Sequence, residues 1–300
     1  MRVVITGGSG LIGRRLVAAL AGRGDQVVVT SRRPQGVAGL ASELAAWDGL
    51  SAEELTPIIN GADAVVHLIG EGIADRRWTA ARKRQILDSR TRSTAAVVAA
   101  FTAASNRPAT LLQGSAVGFY GSRGDEELTE DSALGSGFLA DVTRQWEAAS
   151  AEVEPLGVRR VLLRTGVVLA AEGGALAKMA LPFRFFAGGP VGSGRQWVPW
   201  IHIADQVAAM LFLLDSPQIA GAFNLVAPEP ATSRDLARAI GKALRRPALM
   251  PAPALAMKLV LGEMAELLLM SQRVEPAALA AAGYSFQFPG IEAATRDLLA

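Results

Sequence analysis

The first thirteen residues constrain this chain more than any other stretch. Met1-Arg2-Val3-Val4-Ile5-Thr6 reads as a short buried strand, and Gly7-Gly8-Ser9-Gly10-Leu11-Ile12-Gly13 follows at once. An apolar-periodic helix then runs from Leu11 to about Arg23, its inward face carried by Ile12, Leu16, Val17 and Leu20. A strand that feeds a glycine turn and a helix N-terminus builds an anion site. The free N–H groups and the positive end of the helix dipole point at the same place. Gly7 and Gly8 allow the tight turn, Gly10 lets the backbone approach a pyrophosphate, and Gly13 lets the helix pack against the strand. Glycines in this context are a specific sign of dinucleotide binding. Gly7, Gly8, Ser9, Gly10, Leu11, Ile12 and Gly13 are therefore candidate cofactor contacts.

Gln26 to Thr30 (QVVVT) is the second strand, and its end indicates which dinucleotide is bound. An NAD site places Asp or Glu there, roughly twenty residues beyond the glycines, against the ribose 2′-OH. This chain has Ser31-Arg32-Arg33 instead. A carboxylate would repel a 2′-phosphate, whereas a guanidinium binds it through charge-assisted hydrogen bonds to which Ser31 can add another. The expected cofactor is NADP(H).

Leu44 to Trp47 reads as a short third strand ending at Asp48, which is either an adenine contact or part of a surface turn. Ser51 to Ile59 is a helix with Ser51 as N-cap and Glu54 completing a capping box. Asp63 to Ile69 (DAVVHLI) is the fourth strand, and Gly70-Glu71-Gly72 after it suits a cofactor crossing the carboxyl edge of the sheet. This adds Leu68, Gly70 and Glu71 to the candidate contacts. His67, inside an apolar strand, reads as a hydrogen-bonded core residue. A long helix from about Thr79 to Ala103 opens with a basic face. Arg82 and Arg84 read as solvated, while Arg76, Arg77 and Arg90 could face the cleft, Arg90 as a cofactor contact.

Thr110 to Ser115 is a fifth strand, Phe138 to Glu154 a helix and Val158 to Thr165 a sixth strand. This alternation predicts an α/β fold: a Rossmann-like, doubly wound parallel sheet. After residue 165 the pattern turns mixed, with a glycine-dense loop at 188–194, an aromatic stretch at 196–201, a helix opened by His202, and a strand at 222–226. The expected organisation is an NADP-binding domain over 1–165, with 201–226 returning to it, and a smaller C-terminal substrate lobe with a helical module over 166–300.

Half of the 300 residues are hydrophobic and 19% are charged, enough to bury a large core. With no cysteine there is no disulfide or thiolate metal site, and no cluster has metal-ligand spacing. A net charge of +2, without a basic run interleaved with aromatics, argues against nucleic acid as a partner. The stretch from Ala252 to Met270 contains Lys258, Glu263 and Glu266 and reads as a packed amphipathic helix rather than a membrane span. With a strand in place of a signal peptide, the expectation is a cytoplasmic protein that meets no membrane.

Over essentially its whole length the chain resembles an extended-type short-chain dehydrogenase/reductase of the NAD-dependent epimerase/dehydratase kind. TGGSGLIG, Ser115 with Tyr120-Gly121, and WVPWIHIADQVAA carry the resemblance. More narrowly it resembles an atypical branch with SRRP after strand two, GEGI after strand four, RRW before the long helix, GSAVGFYG, GGPVGSG, and a C-terminal LGEMAELLLMSQRV. The branch resemblance implies NADP binding. The wider family implies a monomer or a homodimer paired through the helices near 79–103 and 138–154. It also implies a catalytic tyrosine four residues before a lysine, which is absent here. Tyr120 is followed at that spacing by Gly124 and Tyr284 by Phe288, and no lysine lies between Lys83 and Lys178. Aligning Glu147 with the glutamate that often follows the lysine puts Leu139 and Thr143 at the catalytic positions.

Ser115 matches the family residue that hydrogen-bonds the reacting oxygen, and Tyr120 a substrate-pocket residue. Trp200 could wall an apolar pocket, with Trp78 and Trp197. His202 could line the cleft, although a structural role with Asp205 is favoured. The catalytic group is left unassigned. Two functions follow: an NADP(H)-dependent oxidoreductase or epimerase-like enzyme with a non-standard acid–base residue and a small substrate, or a catalytically silent NADP(H)-binding sensor or scaffold.

Overall fold

The computed structural model describes residues 1–32, 39 and 41–300. Arg33, a candidate phosphate contact, lies outside the described residues.

The main sheet has seven strands, β1 (Arg2–Thr6), β2 (Gln26–Ser31), β3 (Glu43–Ala46), β4 (Ala64–His67), β5 (Thr110–Ala116), and two that follow a short β6 (Glu127–Leu128): β7 (Arg159–Thr165) and, farther on, β11. Between these last two come β8 (Val167–Ala170), β9 (Trp197–Val198) and β10 (Trp200–His202). β11 spans Gly221–Leu225 and precedes β12 (Ala231–Thr232) and β13 (Arg273–Val274). The sheet order is β11-β7-β5-β4-β1-β2-β3, and every pairing in it is parallel. The direction of winding reverses between β1 and β4, the crevice where doubly wound sheets take their ligands. Full burial of Val3, Val4, Ile5, Ala64, Val65 and Val66 explains why these strands read as continuous apolar runs.

One face of the sheet is covered by α1 (Leu11–Gly22), the other by α2 (Ala52–Ile59), α3 (Ala80–Ala103) and α4 (Phe138–Ala149). Helix α5 (Gly174–Arg184) belongs to the second half, and α6 (Ile203–Leu214) returns to lie against α1. The chain ends in α7 (Ser233–Leu244), α8 (Ala254–Leu261), α9 (Glu266–Leu269), α10 (Ala277–Ala281) and α11 (Ile291–Leu299). β11 takes the edge of the main sheet beside β7, and Leu279 of α10 enters the same core. A second core, around Leu176, Phe183, Trp200, Leu236 and Ala294, joins α5, α7 and α11.

Several local expectations change. The helix expected over Phe138 to Glu154 stops at Ala149 and continues as a 3-10 turn, Ala151–Leu156, containing Pro155. The single helix expected over Ala252 to Met270 is two short ones, interrupted where Gly262 takes φ +62°. Ser51 accepts the Glu54 N–H at 3.1 Å, without the reciprocal half of a capping box. The complete box caps α7, through Thr232 and Asp235.

His67 is the packed core residue its apolar strand implies. Ser93 Oγ donates to Ser89 O at 2.8 Å, so it accepts from His67 Nε2 at 3.1 Å, leaving Nδ1 to accept from the Thr6 hydroxyl at 2.5 Å. A neutral ring satisfies both of its contacts, and burial pushes its pKa down to about 3. The unfolded chain therefore takes up a proton below about pH 6.5 that the native ring refuses. Stability should fall by about 1.4 kcal/mol per pH unit between there and pH 4.5. His202, the only other histidine, is shifted the same way; Glu130, raised by burial, acts oppositely at the acid end. Urea unfolding as a function of pH measures this slope, which His67→Gln should reduce to the part that His202 contributes.

Candidate functional site

The site begins where β1 ends. Gly7 takes φ +83°, and a Cβ there would lie 2.9 Å from the Leu68 carbonyl carbon. A Cβ on Gly8 would lie 2.8 Å from a Val29 methyl, and one on Gly13 only 2.4 Å from Gly7 O. Gly10 differs: the one neighbour its Cβ would meet is Gly7 O, at 3.4 Å, so the other side is open. Gly10 is also the N-cap of α1, no side chain caps the helix, and its first turn holds no acid. The backbone is thus forced together on the inside, while open space and bare helix N–H groups lie on the outside. That combination fits a pyrophosphate.

Arg32 is exposed at the end of β2. Asp48 Oδ1 accepts from the Leu50 and Ser51 N–H groups at 2.6 and 2.8 Å, which hold its pKa low. It therefore makes the turn before α2, and its carboxylate stays on the surface. Leu68 donates its N–H to Thr6 O at 2.9 Å, joining the end of β4 to the glycine turn.

Arg90 lies against the next part of this edge. Its Nη1 donates to Glu71 O at 3.1 Å and Ile86 O at 2.9 Å, and the guanidinium sits 5.0 Å from the Trp146 ring. A Cβ on Gly70 would lie 3.0 Å from Arg90 Cζ, so a side chain there would push the guanidinium back by a few tenths of an ångström. Burial lowers the Arg90 pKa to about 10, which leaves the group charged. Arg82, read from sequence as solvated, is largely covered. It donates to Glu71 Oε2 at 3.0 Å and Gly72 O at 2.6 Å, because α3 turns its first-turn face toward the β4 loop. Arg77 is turned away from the cleft toward α8, while Arg84 is exposed as read.

The segment from the end of β8 into the first half of α5 forms a strap beside the glycine turn. Glu172 pairs with Arg15 at 2.6 Å, Gly174 lies against Leu11, and Lys178 reaches Ala74 O at 3.2 Å. It bridges α1 to the turn after β4, a connection the sequence reading missed.

The four residues expected to contact substrate are all interior. The Ser115 hydroxyl donates to Glu147 Oε1 at 2.6 Å. Glu147 also holds Arg164 in a two-pronged pair, Nε–Oε1 2.9 Å and Nη2–Oε2 3.0 Å. Arg164 Nη1 donates to the Tyr120 hydroxyl at 3.0 Å, and that hydroxyl donates to Asn224 Oδ1 at 2.7 Å. The Val117–Tyr120 turn folds the ring inward, where burial raises its pKa, so Tyr120 is no pocket residue. Burial works against the Arg164 charge, but Glu147 outweighs it and raises the guanidinium pKa. Trp200 is buried in the second core with its indole N–H on Glu229 O, 3.3 Å away. Trp78 is likewise buried and bonded to Ile73 O. His202 caps α6 by accepting the Ala204 N–H at 3.0 Å and stacks on Phe288. Its Nε2 lies 3.2 Å from Asp297, and burial lowers its pKa. Asp205 instead accepts from the Gln287 and Phe288 N–H groups, both at 2.8 Å.

At the positions of the missing catalytic pair, Leu139 is buried and the Thr143 hydroxyl bonds back to Leu139 O at 2.8 Å. The sequence reading missed the Glu147–Arg164–Asn224 network. An arginine and an asparagine inside apolar strands (VRRVLLRT and GAFNL) were the available signal.

The human epimerase family protein SDR39U1, crystallised with NADPH, superposes with a TM-score of 0.90 at 36% identity, over 100% of this chain and 99% of that one. The mouse protein of the same name is 38% identical over the full length of both. An epimerase family protein of Mycobacterium tuberculosis is 40% identical across 95% of this chain and 93% of its own. Residues 252–298 match a domain of unknown function, DUF1731. Residues 3–225 match the NAD dependent epimerase/dehydratase family, and the chain belongs to that family.

Proposed function

We propose that the protein binds NADP(H) in the crevice between β1 and β4 and acts as an oxidoreductase on a small carbonyl or hydroxyl compound, without a tyrosine–lysine pair. The observation that carries the cofactor assignment is the glycine turn: closed inside by contacts that only glycine allows, open outside at the bare α1 N-terminus. Arg32 at the end of β2, where an NAD site would carry an acid, supports the phosphorylated cofactor. NADP(H), when bound, supplies or accepts hydride. In this reading Gly8–Gly13 hold the pyrophosphate, Ser31, Arg32 and Arg33 the 2′-phosphate, and Asp48 stays at the adenine edge. Leu68, Gly70 and Glu71 provide backbone along the carboxyl edge. Arg90 places a buried positive charge beside the turn after β4, where it is a cofactor contact. The substrate is a small molecule, the acid–base group is non-standard, and the setting is cytoplasmic.

The interior network favours a second reading. The Ser115 and Tyr120 protons are committed to Glu147 and Asn224, and the Thr143 hydroxyl to its own helix. A protein with these groups withdrawn can still bind cofactor and act as a sensor or scaffold. Incubation with 4-deuterated NADPH and a panel of aldehydes and ketones separates the two. Deuterium in a product alcohol supports the enzyme, while tight binding with no label transferred to any member supports the silent binder.

A further inference from the structure

Helix α8 reads Ala-Leu-Ala-Met-Lys-Leu-Val-Leu, apolar at every position but one, and none of its residues is buried. It is nevertheless fixed in place. Arg77 donates to the Leu259 and Val260 carbonyls at 3.0 and 2.6 Å, satisfying the end of the helix. Leu255 and Leu259, one turn apart on the same face, are 70% and 71% exposed. The approach to α8 continues the surface. Met250 N bonds Gly188 O at 3.0 Å and Ala252 N bonds Pro190 O at 2.9 Å, laying 249–252 beside the end of α5. Leu249, Met250, Phe185 and Phe186 are all exposed there. Phe186 takes φ +58° and Arg245 φ +53°, the only non-glycine residues with positive φ among the described residues. Holding a bulky aromatic in that region costs energy, and here the ring stays 58% exposed with the Arg246 guanidinium 4.5 Å from its centroid. Apolar surface on this scale, held rigidly, is built to be covered.

Charge identifies the cover. Residues 181–195 and 245–262 contain Arg184, Arg195, Arg245, Arg246 and Lys258 and no Asp or Glu; the nearest acids are Glu263, which is paired with Lys83, and Glu266, both beside Lys258 past the end of α8. Among the described residues none of these five cations makes an ion pair. A second copy docked face to face would set these cations against one another. An anionic lipid surface accepts both parts, with phosphates for the arginines and lysine and the headgroup–acyl boundary for the leucines and phenylalanines.

We propose that this face, made by the end of α5, residues 249–252 and α8, docks the protein on an anionic membrane surface. The protein lies on that surface and does not cross it: among the described residues no helix is long and apolar enough to span a bilayer. This departs from the sequence-based expectation of no membrane contact and is independent of the cofactor assignment.

The test is co-sedimentation of the full chain with vesicles of phosphatidylcholine alone or mixed with phosphatidylglycerol. Binding to the mixed vesicles is expected, weakening as salt is raised. Arg184→Gln and Lys258→Gln should each reduce the partition coefficient about fivefold. Leu255→Ser/Leu259→Ser should reduce it by at least about tenfold, and its unchanged far-UV circular dichroism would show that the fold is intact. No sedimentation with the mixed vesicles would overturn the proposal, as would equal binding to both vesicle types. So would a dimer in light scattering that the double leucine variant dissociates, because the face would then belong to a second copy.

Discussion

Glu147→Ala should lower the free energy of unfolding by about 3–5 kcal/mol, the cost of leaving a buried charge without its partner. The Arg164 guanidinium is 7% exposed and holds Glu147 by two hydrogen bonds, so removal of the carboxylate leaves it hydrogen-bonded only to the Tyr120 hydroxyl and Glu130 O, over the Phe119 ring at 3.6 Å. The Ser115 hydroxyl loses its acceptor at the same time. The double variant Glu147→Leu/Arg164→Met should recover most of the loss, because an apolar pair of similar volume needs no counter-ion. Urea unfolding of the wild type, both singles and the double measures the coupling. A single-variant cost below about 1 kcal/mol would show that water reaches this cluster and that Ser115 and Tyr120 are open to the cleft.

Gly13→Ala should have the second large effect, and it should act on cofactor affinity and stability together. The new methyl would sit 2.4 Å from Gly7 O and 2.7 Å from Gly8 Cα, both backbone atoms that no side-chain rotation can move away. Helix α1 must then shift from the turn, at a cost of about 1–3 kcal/mol in stability. The helix N–H groups move with it, and NADPH affinity should fall by at least about tenfold. Gly22→Ala, with nothing within 4 Å of the added carbon, is the control, and it should leave NADPH affinity unchanged and not lower stability. Isothermal titration with denaturant unfolding reads both.

The sequence carried the first lobe in detail because its signals are local. A glycine turn between a strand and a helix, an apolar strand every few tens of residues, and Thr79 ahead of a long helix are each defined within a few positions. The second lobe and the pocket were less legible because their determinants are distant in the chain. Tyr120 is sequestered by Asn224, 104 residues later, and Ser115 by Glu147, 32 residues later. A serine at the end of a strand looks the same in sequence whether it faces a substrate or a buried carboxylate. Arg82 looked solvated because its partner Glu71 sits across a loop rather than one helical turn away. The apolar run at 252–270 read as packed because periodicity reports which residues are apolar and not whether anything covers them.

The central claim is that the glycine turn and the basic end of β2 select NADP(H). Its most direct test is titration of the protein with NADPH and NADH, repeated on Arg32→Ala. NADPH should bind more tightly than NADH, and the variant should lose about 1.5–3 kcal/mol of NADPH affinity, the scale of hydrogen bonds to a charged group, with little change toward NADH. Equal affinity for both cofactors, unchanged in the variant, would contradict the phosphate assignment, and binding of neither would contradict the site itself.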